Sequence, residues 1–76
     1  MTPQDPEVAL DVCWLEPPEP MERILDALSR LRPGQRLRVL IHREPFPLYR
    51  ILANNGYAHR TQARDDQLYE VLIWQK

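Results

Sequence analysis

Hydrophobic and polar positions follow two different periods along the first half of the chain. Over residues 8–12 and 35–42, apolar side chains occupy every second position, which is typical of strands with one buried face. Between these segments, apolar residues recur at spacings of three and four over residues 20–31, which predicts an amphipathic helix. Pro33 and Gly34 follow, and we expect them to end that helix.

The second half of the chain predicts one more helix and a pair of strands. The helix is expected to open at Glu44 and Pro45 and to end before Gly56. Residues 57–63 and 67–75 then predict an antiparallel hairpin. The resulting order, β-α-β-α-β-β, predicts an α/β fold of the α+β two-layer sandwich type. Its four-stranded mixed sheet would carry both helices on one face, because both crossovers are right-handed.

The last strand has apolar residues on both faces of the predicted sheet. Tyr69, Val71 and Ile73 are expected to face the helices. The opposite, open face then carries Leu68, Glu70, Leu72 and Trp74. Leu72 and Trp74 predict a docking surface for a protein partner or for a weak homodimer, although scattered apolar residues are also common on ordinary surfaces.

Length and composition predict one small domain. Of the 76 residues, we expect residues 1–7 to be a loose tail and residues 8–76 to form the domain. No apolar run approaches the roughly 18 to 20 residues that cross a bilayer, and the first residues do not resemble a signal peptide. We therefore expect a cytoplasmic protein without membrane contact. Its single cysteine excludes an internal disulfide, and we expect no cofactor and no bound metal.

Charges are sorted along the chain although they nearly cancel in total. The net charge is −1, but acidic residues dominate before Arg30 and arginines dominate from Arg30 to Arg64. This separation is compatible with a solvated surface with internal ion pairs, or with a patch that meets an anionic partner. We do not expect a nucleic-acid partner, because the first third of the chain is acidic and the net charge is negative.

Several motifs occur in an order that resembles the TusA and SirA-like sulfur-carrier superfamily. They are LEPPEP at residues 15–20, RPGQRLRV at residues 32–39, the pair Glu44 and Pro45, and NGYAH at residues 55–59. The resemblance extends over nearly the whole chain. Within the superfamily, the chain is most similar to an uncharacterised bacterial branch, a domain of unknown function. The resemblance implies the same β-α-β-α-β-β sandwich that the periodicity predicts.

The resemblance also implies which chemistry the chain lacks. Sulfur carriers hold a persulfide on the cysteine of a Cys-Pro-x-Pro motif, where the start of the first helix favours the thiolate. Here Pro18 and Pro20 match the two prolines, and Pro17 occupies the cysteine position. Because proline has no nucleophile, our leading hypothesis is a non-enzymatic module that binds a protein partner or a ligand. The candidate partner-binding residues are Glu16, Pro17, Pro18, Glu19, Pro20, Leu72 and Trp74.

Two other sites stay open as alternatives. Cys13 is the candidate for a sulfur-transfer or redox role, although a lone cysteine is more often a small buried residue. His42, Arg43 and Tyr49 lie near the start of the second helix and predict an anion site, whereas Glu44 there also suits helix capping. Metal binding between His42 and Glu44 is a further alternative, which needs additional ligands.

Overall fold

Six regular elements follow one another in the computed structural model, which describes residues 7–76. The strands are β1 (Glu7–Asp11), β2 (Arg36–Ile41), β3 (Tyr57–Ala63) and β4 (Tyr69–Gln75), and the helices are α1 (Glu19–Ser29) and α2 (Phe46–Asn54). Their order, β-α-β-α-β-β, confirms the predicted fold class. Apart from Glu7, the predicted tail lies outside the described residues.

The strands form one mixed sheet in the order β1-β2-β4-β3. β1 runs parallel to β2, with Val8 opposite Leu37 and Leu10 opposite Val39. β4 is antiparallel to both of its neighbours, β2 and β3. Parallel neighbours need a crossover connection, which α1 supplies between β1 and β2. As a result, the carboxyl ends of β1 and β2 meet at one edge of the sheet, beside the turn between β3 and β4.

Both helices pack on one face of the sheet, as predicted. α1 contributes Ile24 and Leu28 to the core, and α2 contributes Leu48 and Leu52. The strands contribute Leu37, Val39, Ile41, Val71 and Ile73, and Val12, the residue after β1, completes the core. All ten of these side chains are at most 5% exposed, and no polar or charged side chain within residues 7–76 is buried. Burial of apolar surface is therefore the main favourable term in folding.

The first helix is shorter than the sequence predicts, because its last turn tightens. α1 ends at Ser29 rather than at Leu31. The backbone N–H groups of Arg30 and Leu31 donate to the carbonyls of Ala27 and Leu28, at 3.1 and 3.2 Å. Hydrogen bonds between residues three apart close the last turn of a helix.

No helix within residues 7–76 is long and apolar enough to cross a membrane.

Two predictions at the strand ends need correction. β1 begins at Glu7, one residue inside the predicted tail. β4 begins at Tyr69 rather than at residue 67, because Gln67 has a φ of 67° and belongs to the preceding turn. The N–H of Arg64 donates to the carbonyl of Leu68 at 2.8 Å and closes this turn. Leu68 therefore lies in the turn and not on the open face.

The open face of the sheet is less exposed than its sequence suggests. Leu72 and Trp74 lie on it, as predicted, because they alternate with the buried residues of β4, but both are half-buried. Arg38 lies opposite Leu72 on β2 and pairs with Glu7 on β1. Neighbouring side chains thus cover part of the apolar surface that Leu72 and Trp74 bring to this face.

Candidate functional site

A groove opens at the edge of the sheet where β1 and β2 end. Its volume is about 1160 Å³, and three connections form it: the loop from β1 to α1, the loop from β2 to α2, and the turn between β3 and β4. Apolar and proline side chains make up most of its lining. Its charged lining residues are Glu16, Arg43, Glu44 and Arg64.

The proline loop (residues 15–20) forms one wall of the groove. Its peptide bond between Pro17 and Pro18 is cis, and both prolines are exposed. Pro20 is buried and fits the first turn of α1, where a missing N–H leaves no hydrogen bond unmade. The position that resembles the cysteine of the sulfur carriers therefore presents a proline ring to the groove, which transfers neither sulfur nor protons.

The two acidic residues of the proline loop have different surroundings. The guanidinium of Arg23 donates two hydrogen bonds to the Glu19 carboxylate, at 2.9 and 3.1 Å. Glu16 is exposed at the groove and forms no salt bridge within the described part of the chain. Glu19 therefore belongs to α1, whereas Glu16 is available to a molecule in the groove.

Two aromatic side chains that the sequence-based hypotheses missed stand exposed at the groove. Trp14, just before the proline loop, is 75% exposed, and Phe46, the first residue of α2, is 67% exposed. Phe46 contacts the Tyr49 ring edge-on, with centroids 6.0 Å apart. Hydrophobic periodicity carried no signal for either residue, because both lie where a regular element ends or begins. The prolines next to both residues were the available clue, because Trp14 precedes the proline loop and Phe46 lies between Pro45 and Pro47.

Trp14 is held by His42. The two rings stack with centroids 4.9 Å apart and planes 27° apart. The backbone N–H of Trp14 also donates to Nδ1 of His42 at 2.9 Å. His42 therefore serves the loop that carries Trp14, and its Nδ1 is already engaged as an acceptor.

Tyr49 is not part of the groove lining, although it contacts the lining residues Glu44 and Phe46. Its hydroxyl donates to Glu44 Oε2 at 3.0 Å and shares a 2.6 Å hydrogen bond with Thr61 Oγ1, and its ring stacks on that of His59 at 4.3 Å. Burial raises the pKa of Tyr49 above its ordinary value of 10.0; the Thr61 hydrogen bond opposes this rise and Glu44 adds to it. Tyr49 thus joins the loop before α2 to β3.

Cys13 is half-buried at the end of β1. Its backbone N–H donates to Asp11 Oδ1 at 2.9 Å, which lowers the pKa of that carboxyl. Burial first, and the Asp11 carboxylate second, raise the pKa of the Cys13 thiol from 9.0 to about 11. At neutral pH the sulfur is therefore protonated, and a thiol is a poor nucleophile and a poor metal ligand.

The structure brings together only part of the predicted site. The predicted residues that line the groove are Glu16, Pro17, Pro18, Pro20, His42 and Arg43. Leu72 and Trp74 lie on the open face of the sheet, opposite the helices, and not at the groove. The two halves of the predicted partner-binding set therefore form separate surfaces. Arg43 is exposed and lines the groove, whereas Tyr49 is not among the lining residues, so the predicted anion set is also divided. Within residues 7–76, no three His, Cys, Asp or Glu side chains come together as ligands for a metal ion.

Comparisons with known proteins agree with this fold. The family described as "Uncharacterized conserved protein (DUF2249)" matches residues 9–75. The chain belongs to the DUF2249 family. The crystal structure of a SirA-like protein from Desulfitobacterium hafniense is similar, with a TM-score of 0.76 and 24% identity over 86% of this chain and 92% of that chain. This DUF2249 protein thus has the SirA-like fold that the resemblance implied. No curated protein matches the chain.

Proposed function

We propose that this DUF2249 protein is a non-enzymatic binding module that holds a polypeptide segment of a partner protein in the groove. The observation that carries the proposal is the exposure of two large aromatic side chains, Trp14 at 75% and Phe46 at 67%, at a single groove. Clustered apolar exposure marks interaction surfaces, and aromatic residues contribute disproportionately to binding energy there.

The size and lining of the groove support a polypeptide rather than a small ligand. Its volume of about 1160 Å³ leaves room for several side chains of a polypeptide segment. No polar side chain within residues 7–76 is buried, so the groove lacks the buried polar groups that usually orient a small ligand. Its aromatic and proline rings instead offer rigid apolar surface that loses little conformational entropy on binding.

The chemistry of the nearby side chains supports binding rather than group transfer. Pro17 stands where the sulfur carriers have their thiol, and the Cys13 thiol has a pKa of about 11. Glu16 and Arg43 are exposed charges of opposite sign at the groove. At the rim of an interface, charges of this kind orient a partner and contribute more to specificity than to affinity.

A displayed library of short random peptides tests the proposal, because it offers the groove many polypeptide sequences at once. The wild-type chain and a W14A/F46A double variant are immobilised and offered the same library. We expect the wild type to enrich peptides and the double variant to bind them about tenfold or more weakly, because truncation of a hot-spot residue costs at least about 1 to 2 kcal/mol.

Leu25→Ala is the matched control. Leu25 is 38% exposed on α1 and does not line the groove, so this variant removes exposed apolar surface elsewhere. It should bind the enriched peptides as the wild type does. Equal binding by the double variant, or no enrichment by the wild type, would contradict the proposal. Thermal melting of all three chains checks that the substitutions leave the fold intact.

A further inference from the structure

Trp14 has a backbone conformation that bulky side chains rarely adopt. Its φ is 67°, in the left-handed region, where the Cβ atom crowds the backbone and glycine is favoured. Such a conformation persists only where surrounding contacts hold it in place. The contacts of Trp14 therefore decide how this 75% exposed side chain is presented to the groove.

The contact that holds the Trp14 backbone is made by a side chain in place of a main-chain group. The N–H of Val12 donates to the carbonyl of Leu40 at 2.9 Å and continues the parallel pairing of β1 with β2. In a regular parallel ladder, the next bond would join the N–H of Trp14 to the carbonyl of His42. Here that N–H donates to His42 Nδ1 instead, at 2.9 Å. The last hydrogen bond of the pairing between β1 and β2 therefore has the His42 imidazole as its acceptor.

An imidazole accepts a hydrogen bond at Nδ1 only while it is neutral, with its proton on Nε2. In the imidazolium ion both nitrogens are donors. The N–H at Nδ1 and the N–H of Trp14 would then point at each other, and no hydrogen bond could form between them. The stacked rings, 4.9 Å apart, do not depend on the acceptor and keep an attractive cation–π contact after protonation. Protonation therefore removes the backbone bond specifically.

The titratable and charged groups on the elements around His42 are Asp11, Cys13, Glu16, Arg43, Glu44, Arg64 and Tyr69. Arg64 pairs with Asp66 and Glu70, and Glu44 accepts from Tyr49. Among the described residues, none forms a salt bridge with His42. A salt bridge would favour the charged ring, so its absence is compatible with the neutral ring that accepts from the N–H of Trp14.

We propose that His42 is a proton-controlled latch on the groove. The neutral ring holds the Trp14 backbone in its left-handed conformation, and protonation of His42 releases that backbone and changes how the Trp14 ring is presented. This inference rests on the proposed function only for its consequence, that the groove binds its polypeptide partner differently at pH 5.5 and at pH 8. The latch itself is a property of the free chain.

The 76-residue chain carrying Trp74→Phe tests the latch, because Trp14 is then its one tryptophan. Between pH 8 and pH 5, where imidazoles titrate, we expect Trp14 emission to fall because imidazolium quenches a stacked indole. The amide proton of Trp14 in a ¹⁵N-labelled sample should shift upfield over the same range as its hydrogen bond is lost. Circular dichroism over that range shows whether the chain stays folded.

Two histidine variants separate the latch from other titrations. His42→Asn introduces an oxygen acceptor that is present at every pH, so this variant should keep the Trp14 amide shift constant and flatten both signals. His59→Asn removes the other histidine, which stacks on Tyr49 away from the groove, and should leave both transitions in place. A flat Trp14 amide shift in the W74F chain, or a transition that survives in H42N, overturns the latch.

The two proposals fail in different experiments. The titration uses no partner, so a groove that enriches no peptide leaves a positive titration standing. A groove that binds peptides while the Trp14 amide stays flat overturns the latch and leaves the proposed function intact. If both hold, peptides enriched at pH 8 should bind the wild type at least severalfold differently at pH 5.5 and bind H42N equally at both.

Discussion

Cys13 shows how the surroundings of one residue set its chemistry. Its thiol is half-buried and lies beside the Asp11 carboxylate, and both features disfavour a second negative charge. Arg64 lowers the pKa of this thiol, but burial and the carboxylates outweigh it, whereas in reactive cysteines a nearby cation or a helix N-terminus dominates. The sulfur-transfer alternative that rests on Cys13 therefore has no support from its electrostatics.

We predict that Cys13 is alkylated slowly at neutral pH and that its alkylation rate rises at higher pH, because the pKa of its thiol is about 11. In the urea-unfolded chain, the alkylation rate of Cys13 should instead rise near pH 9.0, the ordinary pKa of the thiol. The sign for stability follows from the same values. Below pH 9 the Cys13 thiol is protonated in both the folded and the unfolded chain, and its contribution to the free energy of unfolding is fully present. As the pH rises from 9 through about 11, the unfolded chain loses this proton first, and that contribution is lost.

Two variants check the cause of this slow reaction. Asp11→Asn removes the carboxylate charge and should shift the alkylation profile of Cys13 to lower pH. A C13S/P17C chain moves the thiol to an exposed position at the start of α1, where we expect fast alkylation near neutral pH. Rapid reaction of wild-type Cys13 at pH 7 in the folded chain would contradict the prediction.

At the scale of elements, Gly56 allows α2 to end and β3 to begin within two residues. Its φ is 79°, and the space where a Cβ would lie is open, so only the backbone conformation opposes a larger residue. We predict that Gly56→Ala lowers the free energy of unfolding by about 1 kcal/mol. Gly56→Asn should cost less, because asparagine tolerates the left-handed region. Urea denaturation measures both, and equal losses would refute the backbone explanation.

The bridge made by Tyr49 connects three elements through one hydroxyl group. It joins the loop before α2 to β3 through hydrogen bonds to Glu44 and Thr61. We predict that Tyr49→Phe lowers the free energy of unfolding by about 0.5 to 1.5 kcal/mol, the net value of a typical hydrogen bond. A double-mutant cycle with Thr61→Val isolates the 2.6 Å bond, and additive effects of the two substitutions would show that it contributes nothing.

At the scale of the molecule, the fold depends on one small core between the helices and the sheet. Leu48 is fully buried in it, whereas Leu25 on α1 is 38% exposed. We predict that Leu48→Ala lowers the free energy of unfolding by about 2 to 5 kcal/mol and that Leu25→Ala changes it by less than about 0.5 kcal/mol. Denaturant titration measures both, and similar losses would contradict the assignment of the core.

The two apolar surfaces lie in different parts of the molecule. The groove lies at one edge of the sheet, and Leu72 and Trp74 lie half-buried on the open face. A weak homodimer through the open face stays a prediction, distinct from the proposed partner of the groove. Trp74 therefore belongs to a surface other than the one that Trp14 and Phe46 form.

The order of elements and the residues of the core could be predicted from the chain alone. Periods of two and of three to four follow from local geometry, and apolar side chains such as Ile24 or Val39 are buried wherever their element packs. Periodicity does not give the helix ends, because α1 ends at Ser29 through local hydrogen bonds that leave the apolar spacing unchanged. The meaning of Pro17 came from the resemblance to the sulfur carriers, whose motif has a cysteine at this position, and not from periodicity.

The location of the site, in contrast, depends on tertiary contacts. Trp14 and His42 are 28 residues apart, and they meet because parallel pairing brings the ends of β1 and β2 together. Tyr49 leaves the predicted anion set because α2 directs it toward Thr61 on β3. Contacts of this kind depend on which loops the sheet places side by side, which no local pattern encodes. The proline loop was visible in the sequence, but the groove that it borders exists only once the sheet has formed.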